Sequence, residues 1–225
     1  MNNFLQDFIV NLVAGIAGIL IVLWIERQRR PSLTIRLGQP GEIKDGDILQ
    51  RPQCKWLHVQ VQNRSVPKWL AWVYHGEPAL ACRAWITFHH LDGQRIFDRE
   101  MVARWSGSDE PKVEVINIKS GEEEKKAIRL IGAQNSFDIP PGEQTDVDVV
   151  FRVKSEDNCY GWNNESYLYN WHHPDWCLEK GRYIARIRIK TGGQEYINAF
   201  MITNDVRYED FRLVEVEDEV KKKLR

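Results

Sequence analysis

From Phe8 to Ile25 the chain reads FIVNLVAGIAGILIVLWI, an apolar run interrupted only by Asn11. As a helix rising 1.5 Å per residue, such a run spans about 27 Å and crosses the hydrocarbon core of a bilayer. A cleaved signal peptide would need a basic start and a small-residue cleavage site, whereas MNNFLQD precedes the run and ERQRR follows it. The pattern therefore predicts a transmembrane helix, stopped by Pro31, whose ring and missing N–H do not fit a helix interior.

Beyond Pro31 the hydrophobic period changes to two. Leu33, Ile35 and Leu37 alternate with Thr34 and Arg36, and Leu57, Val59 and Val61 alternate with His58, Gln60 and Gln62, as half-buried antiparallel strands do. Leu80, Cys82, Ala84, Ile86 and Phe88 repeat the pattern, and the Asp92-Gly93 hairpin signal leads into a strand expected at residues 95–105. Val147, Val149, Phe151 and Val153 predict one apolar face, and Tyr183, Ala185, Ile187 and Ile189 another; a last pair is expected near residues 196–202 and 211–216. Residues 122–131 have the pattern of a short helix. Roughly seven to nine strands with turn signals between them predict a mainly β fold, an antiparallel sandwich behind one transmembrane helix. The division is 1–31 for the anchor and its basic flank, 32–218 for the sandwich with an aromatic-rich insertion at 154–180, and 219–225 for a charged tail.

The flanks orient the helix. Arg27, Arg29 and Arg30 follow the run while Asp7 alone is charged before it, so the positive-inside rule puts the C-terminal domain on the cytoplasmic side of the inner membrane. Trp24 is expected at that interface as an aromatic anchor, with Glu26 and Arg30 at i,i+4 spacing beyond it. Ala14 and Gly18 stand at small-xxx-small spacing, which lets two helices approach closely in lipid and makes a homo-oligomer through this helix a candidate assembly.

In CLEKGRYIARIRI, residues 177–189, Leu178, Gly181 and Tyr183 form an L-x-x-G-x-Y pattern. It resembles the tyrosine corner of immunoglobulin-like and fibronectin-like sandwiches, in which a tyrosine folds its hydroxyl back onto the backbone. WLHVQVQN and ALACRAWITF are similar to the early strands of prokaryotic Ig-like domains of the adhesive or scaffolding kind. MVARWSG and CYGWNNESY resemble segments of uncharacterised prokaryotic membrane-anchored proteins, a family that lends no activity. The resemblance implies an Ig-like sandwich. The Cys, Trp, Cys order of antibody domains is missing, so no inter-sheet disulfide is carried over.

Composition narrows the chemistry. A net charge of −1 offers no overall attraction to nucleic acid, and none is expected as a partner. Cys54, Cys82, Cys159 and Cys177 stand far apart without a C-x-x-C pair and are expected as reduced thiols on the cytoplasmic side. The chain has no phosphate-binding glycine loop, no G-x-S-x-G elbow, no H-E-x-x-H helix and no dinucleotide fingerprint, so neither an enzyme nor a cofactor is expected. His172, His173, Asp175 and Cys177 in HHPDWC have the ligand chemistry of zinc, but their spacing matches no established motif; a hydrogen-bonded polar loop is the expectation, and a metal-dependent hydrolase the remote alternative. Arg182, Arg186, Arg188 and Lys190 alternate with the apolar set of their strand and line its outer face, as a surface for an anionic partner or as a solvated stripe balanced by acidic neighbours such as Asp146 and Asp148.

Nine tryptophans are many for 225 residues, and aromatic side chains gather in two segments. VPKWLAWVYHGEP, residues 66–78, is too long and apolar for an ordinary hairpin connection; Trp69, Trp72 and Tyr74 are expected to cap one end of the sandwich or to dip into the membrane interface beside Lys68. Residues 154–180 are expected to be ordered. They form either a lid over one end of the sandwich, with Asn163 and Asn164 in turn hydrogen bonds, or a recognition surface. In the second case Tyr160, Trp162, Tyr167 and Trp171 supply contact area, and Asn163, Asn164 and Glu165 polar specificity. The chain reads as a membrane-tethered, non-enzymatic module that binds a protein partner or small ligand. The alternative is a membrane effector in which ligand capture rearranges associated transmembrane helices, as in prokaryotic defence.

Overall fold

The computed structural model describes residues 2–43, 52–69, 71–72, 75–120, 123–217 and 220. Helix α1 (Asn2–Arg29) carries the apolar run. Its stretch Phe8–Arg29 contains an 18-residue window with a mean hydropathy of 2.7 that is buried by no other part of the protein, and it is long and apolar enough to cross a membrane. A helix apolar on all sides and buried by nothing is suited to lipid. Glu26 pairs with Arg29 at 3.3 Å, so the i,i+3 spacing is used rather than the expected partner Arg30.

Arg30, Pro31 and Ser32 alone separate α1 from β1 (Leu33–Leu37), and this junction is pinned. Tyr196 Oη donates to Pro31 O at 2.6 Å, and Ser32 N donates to Asn63 Oδ1 at 3.2 Å. The remaining chain builds two antiparallel sheets. The first runs β1, β3 (Cys54–Asn63), β9 (Gln144–Val153), β10 (Cys159–Gly161), β11 (Cys177–Leu178), with β2 (Gly41–Ile43) on β3. The second runs β14 (Arg212–Glu215), β13 (Gln194–Thr203), β12 (Arg182–Thr191), β4 (Ala79–His89), β5 (Met101–Val102), with β8 (Phe137–Ile139) on β4. Strands β6 (Lys112–Ser120) and β7 (Glu123–Ile131) form a separate ribbon.

Leu57, Val59, Val61 and Val147 from the first sheet share one core with Ala84, Ile86, Phe88, Ala185, Ile187 and Phe200 from the second. Burial of these alternating positions is what holds the sheets face to face. The protein is thus mainly β, with antiparallel sheets behind one apolar helix. At the start of β12, Tyr183 Oη donates to Glu179 O at 3.1 Å, the corner contact that L-x-x-G-x-Y implies. A Cβ on Gly181 would lie 3.0 Å from that hydroxyl, which is why a side chain fits poorly there.

Four expectations are corrected. Leu57 pairs with Val150 but His58 with Asp148, so Val149 is an extra residue in β9, a β-bulge. One extra residue flips the faces beyond it: Val147 points into the shared core, whereas Phe151 and Val153 belong to a second apolar cluster. Leu80 leaves the inward set because the pairing of β4 with β8 shifts between Ala79 and Cys82 around Ala81, at φ 49°; Leu80 is 57% exposed. Of the strand expected at 95–105 only Met101–Val102 forms, with isolated bridges at Arg95 and Trp105, because the chain there changes sheets: Ala103 N donates to Ala84 O at 2.9 Å, while Ser106 N donates to Asp146 O at 2.9 Å. Residues 123–131 form β7 and not a helix, since Leu130 and Ile128 pair across the ribbon with Val113 and Val115; Glu122 lies outside the described residues. Of the segment expected as a tail, only Val220 is described.

Candidate functional site

The bulge turns Phe151 and Val153 to the outside of the first sheet, beside Cys54 of β3 and the half-buried Trp56. An apolar patch of this kind needs a cover, and residues 154–180 supply it. Trp162, 4% exposed, meets Phe151 edge-on at 5.1 Å, Trp56 at 6.1 Å and Trp171 at 5.8 Å. Tyr160 stacks on Phe151 at 5.5 Å, and Tyr167 tilts against Trp162 at 5.3 Å. The lid therefore lies over a sheet face and not over the end of the sandwich. A 3₁₀ turn, Asn164–Tyr169, fixes it: Asn163 Oδ1 accepts from Ser166 N at 3.0 Å, and Ser166 Oγ accepts from Asn163 N at 3.1 Å.

Beside the rings the same outer face becomes polar. Asp148 Oδ1 accepts from Ser106 Oγ at 2.6 Å and meets His58 Nδ1 at 2.7 Å, while Oδ2 accepts from Arg104 Nη1 at 3.0 Å. Arg104 Nη2 donates to Ser108 O at 2.6 Å, and the guanidinium stands 6.0 Å from the Tyr167 ring centroid. Arg104 and Asp148 are both buried, so each charge depends on the other and on these hydrogen bonds. Burial pushes the neighbouring Asp146 carboxyl above the usual range; His58 opposes that rise and Asp148 adds to it. The rings of Trp56, Trp162, Tyr167 and Trp171 and the group His58, Arg104, Ser106 and Asp148 line one depression of about 220 Å³.

Serine, histidine and aspartate occur here without the order of a nucleophilic triad. Ser106 and His58 address the same oxygen of Asp148, and the ring nitrogen nearest Ser106, at 3.5 Å, is the one already on Asp148. His58 is not placed to take the Ser106 proton. The rings of Trp56, Trp162 and Trp171 pack edge-on against one another at 5.8 to 6.1 Å. What the depression offers a ligand is aromatic surface at the edge of a fixed polar group.

The seven residues expected to bind do not form one site. Trp162, Tyr167 and Trp171 line the depression, whereas Asn163, Asn164 and Glu165 line a second cavity of about 270 Å³ with Arg99, Glu100 and Trp176. Tyr160 lines neither; its hydroxyl is pushed up to about 12 by burial and by Glu156. Asn164 Nδ2 donates to Gln134 O at 3.0 Å and to Asn135 Oδ1 at 3.1 Å. The sequence reading missed His58, Arg104, Ser106 and Asp148 as a group.

The HHPDWC side chains are occupied separately. His172 Nε2 meets Glu156 at 2.9 Å, and His173 Nδ1 accepts from Asp175 N at 3.2 Å, with burial holding the His173 pKa below its ordinary value. Among the described residues, no three His, Cys, Asp or Glu side chains are grouped so that they could hold a metal ion. Three of the four residues of the basic stripe are paired with acids, but not with Asp146 and Asp148, which lie on the other sheet: Arg188 pairs with Glu100 and Glu195, Lys190 with Glu195, and Arg182 with Asp205. At the C-terminal end of α1, Trp24, Arg27 and Arg30 are exposed, and Arg29 reaches Glu26 and Glu77. Trp69 and Trp72 are 67% and 84% exposed and cap no core; Leu70, Val73 and Tyr74 lie outside the described residues.

Fold and site define a β-sandwich domain joined directly to one apolar N-terminal helix. Comparison with protein-family models, with curated proteins and with solved structures finds no match.

Proposed function

We propose that the protein is a membrane-tethered, non-enzymatic binding module whose Ig-like sandwich faces the cytoplasm, with Trp24, Arg27, Arg29 and Arg30 at the inner-membrane interface. The supporting observation is the outer face of the first sheet, where a buried carboxylate, Asp148, held by Ser106, His58 and Arg104, shares a depression with the half-buried rings of Tyr167 and Trp171. Such a group orients a ligand and supplies no activated nucleophile. Asn163, Asn164 and Glu165, at the second cavity, extend the recognition surface. The test places a photo-crosslinking amino acid at Tyr167 in the full chain in its native membrane. A discrete adduct that disappears when Ser106→Trp fills the depression supports the reading; adducts equal in kind and amount with and without that substitution refute it.

The second reading, a ligand-sensing effector with self-associating helices, is favoured by the pinned junction from Arg30 to Ser32. A linker without slack passes a tilt of the domain to the helix. In that case, disulfide trapping through Gly18→Cys would yield a dimer whose amount changes with ligand.

A further inference from the structure

We propose that the loop between Arg64 and Glu77 is a second membrane contact, placing Trp69 and Trp72 in the interfacial layer of the bilayer that α1 crosses and holding the sandwich upright. The inference rests on the reading of α1 as a membrane span. Both ends of the loop are tied to the helix exit: Arg64 N donates to Ser32 O at 2.9 Å, and Glu77 N donates to Arg29 O at 2.8 Å. The Glu77 carboxylate also stands 3.6 Å from the Arg29 guanidinium. The loop thus starts and finishes beside the residues that link α1 to β1.

The level is right for lipid head groups. Trp24 precedes Arg29 by five residues, or about 7.5 Å of helix, and the polar layer on each side of a bilayer core is about 5–7 Å deep. With Trp24 at the hydrocarbon boundary, Arg29 and the loop ends bound to it lie at the outer edge of the head-group layer, so the loop between them borders lipid. Elsewhere the domain covers its indoles wholly or in part, with Trp105 at 0%, Trp176 at 2% and Trp162 at 4% exposed and Trp56, Trp85 and Trp171 half-buried, yet it leaves Trp69 and Trp72 uncovered. An indole has an apolar body and one donor, which suits it to the interface, and Lys68 next to Trp69 matches lipid phosphate. Leu80, also exposed, lies at this end beside the Gly192-Gly193 turn, in a cavity that Arg30 and Pro31 complete.

Two contacts define a pose. The Asp92-Gly93 turn, at the opposite end of β4, points away from the bilayer. His58 sits five residues before Asn63 in β3, so the depression opens to water about 17 Å beyond the membrane end of the sheet.

The test uses the full chain reconstituted in phosphatidylcholine–phosphatidylglycerol vesicles with a trace of diazirine-bearing phospholipid. After irradiation, lipid adducts are mapped by peptide mass spectrometry. The expected result is labelling of α1 and of the Trp69–Trp72 peptide, the latter about tenfold above the peptide with Leu91, which is 54% exposed at the far end. Trp69→Ser with Trp72→Ser should remove the loop labelling and leave that of α1. Labelled α1 with loop labelling no higher than at Leu91 overturns the second contact alone. Loop labelling that survives the double substitution overturns the role given to the two rings. An unlabelled α1 overturns the membrane reading itself and this inference with it.

Discussion

Replacing Trp162 by Ala removes an indole that is 4% exposed and packs against Phe151, Trp56, Trp171 and Tyr167 at centroid distances of 5.1 to 6.1 Å. Burying such a ring takes about 150–250 Å² from water, or about 4–6 kcal/mol at 25 cal/mol per Å². The unfolded chain already hides part of that area and Ala keeps a methyl, so the loss should be about 3–5 kcal/mol. In a domain of this size each kcal/mol lowers the melting temperature by roughly 2–4 °C, which predicts a fall of about 10 °C. Tyr167 is only half-buried, and Tyr167→Ala should cost about 1–2 kcal/mol while weakening ligand capture more than stability. The assay is thermal and denaturant unfolding of residues 32–225, followed by near-ultraviolet circular dichroism, which reports the packed rings. A Trp162→Ala midpoint within a degree of the parent would refute the argument that the insertion is a cover over Phe151.

Tyr183→Phe removes the hydroxyl that donates to Glu179 O at a half-exposed corner, and should lower stability by about 0.5–1.5 kcal/mol; an unchanged denaturation midpoint would mean that water replaces the bond without cost. Asp148→Asn leaves the buried Arg104 without its counter-charge and should cost about 3 kcal/mol, with partial recovery in the double variant with Arg104→Met; additive losses would contradict the coupling. Burial holds the pKa of His89 and of His173 below the ordinary imidazole value, so below about pH 6.5 the unfolded chain takes up protons that the folded chain refuses. Melting temperature should therefore fall from pH 7 to pH 5, with a shallower slope in His89→Gln, and a flat profile would oppose this. A C-terminal alkaline phosphatase fusion should be inactive, as a cytoplasmic domain requires; activity would reverse the orientation.

Strands with one face on the core and one on solvent were legible. In β1, β3, β4, β12 and β13 the alternation is a local record of that division, and the apolar run of α1 is local as well. Where pairing depends on a distant segment the pattern misleads. KKAIRLI satisfies a helical period on its own, and it is strand only because β6 lies across from it. Residues 95–105 contain enough β-formers for one strand, yet Ala103 bonds to β4 and Ser106 to β9, so no single partner can keep the whole segment extended.

The site was harder to read because it depends on one inserted residue. Val147, Val149, Phe151 and Val153 look like a single stripe, and only the pairing of Leu57 with Val150 and His58 with Asp148 shows that Val149 breaks it. A bulge is a property of two strands, which a period in one of them does not record. Six aromatics at 154–180 did signal that the segment must cover something, but not that its target was the outer face of β9. The polar group carries fainter marks: His58 and Asp148 occupy alternating positions that normally face water, and Arg104 stands between the buried Ala103 and Trp105. Without Val149 as an extra residue, Phe151 would point inward and Asp148 outward, on opposite faces. With it, both point outward. The apolar patch that demands an aromatic cover and the carboxylate that organises Arg104, Ser106 and His58 thus share one surface, and the depression at their boundary follows from that single shift of register.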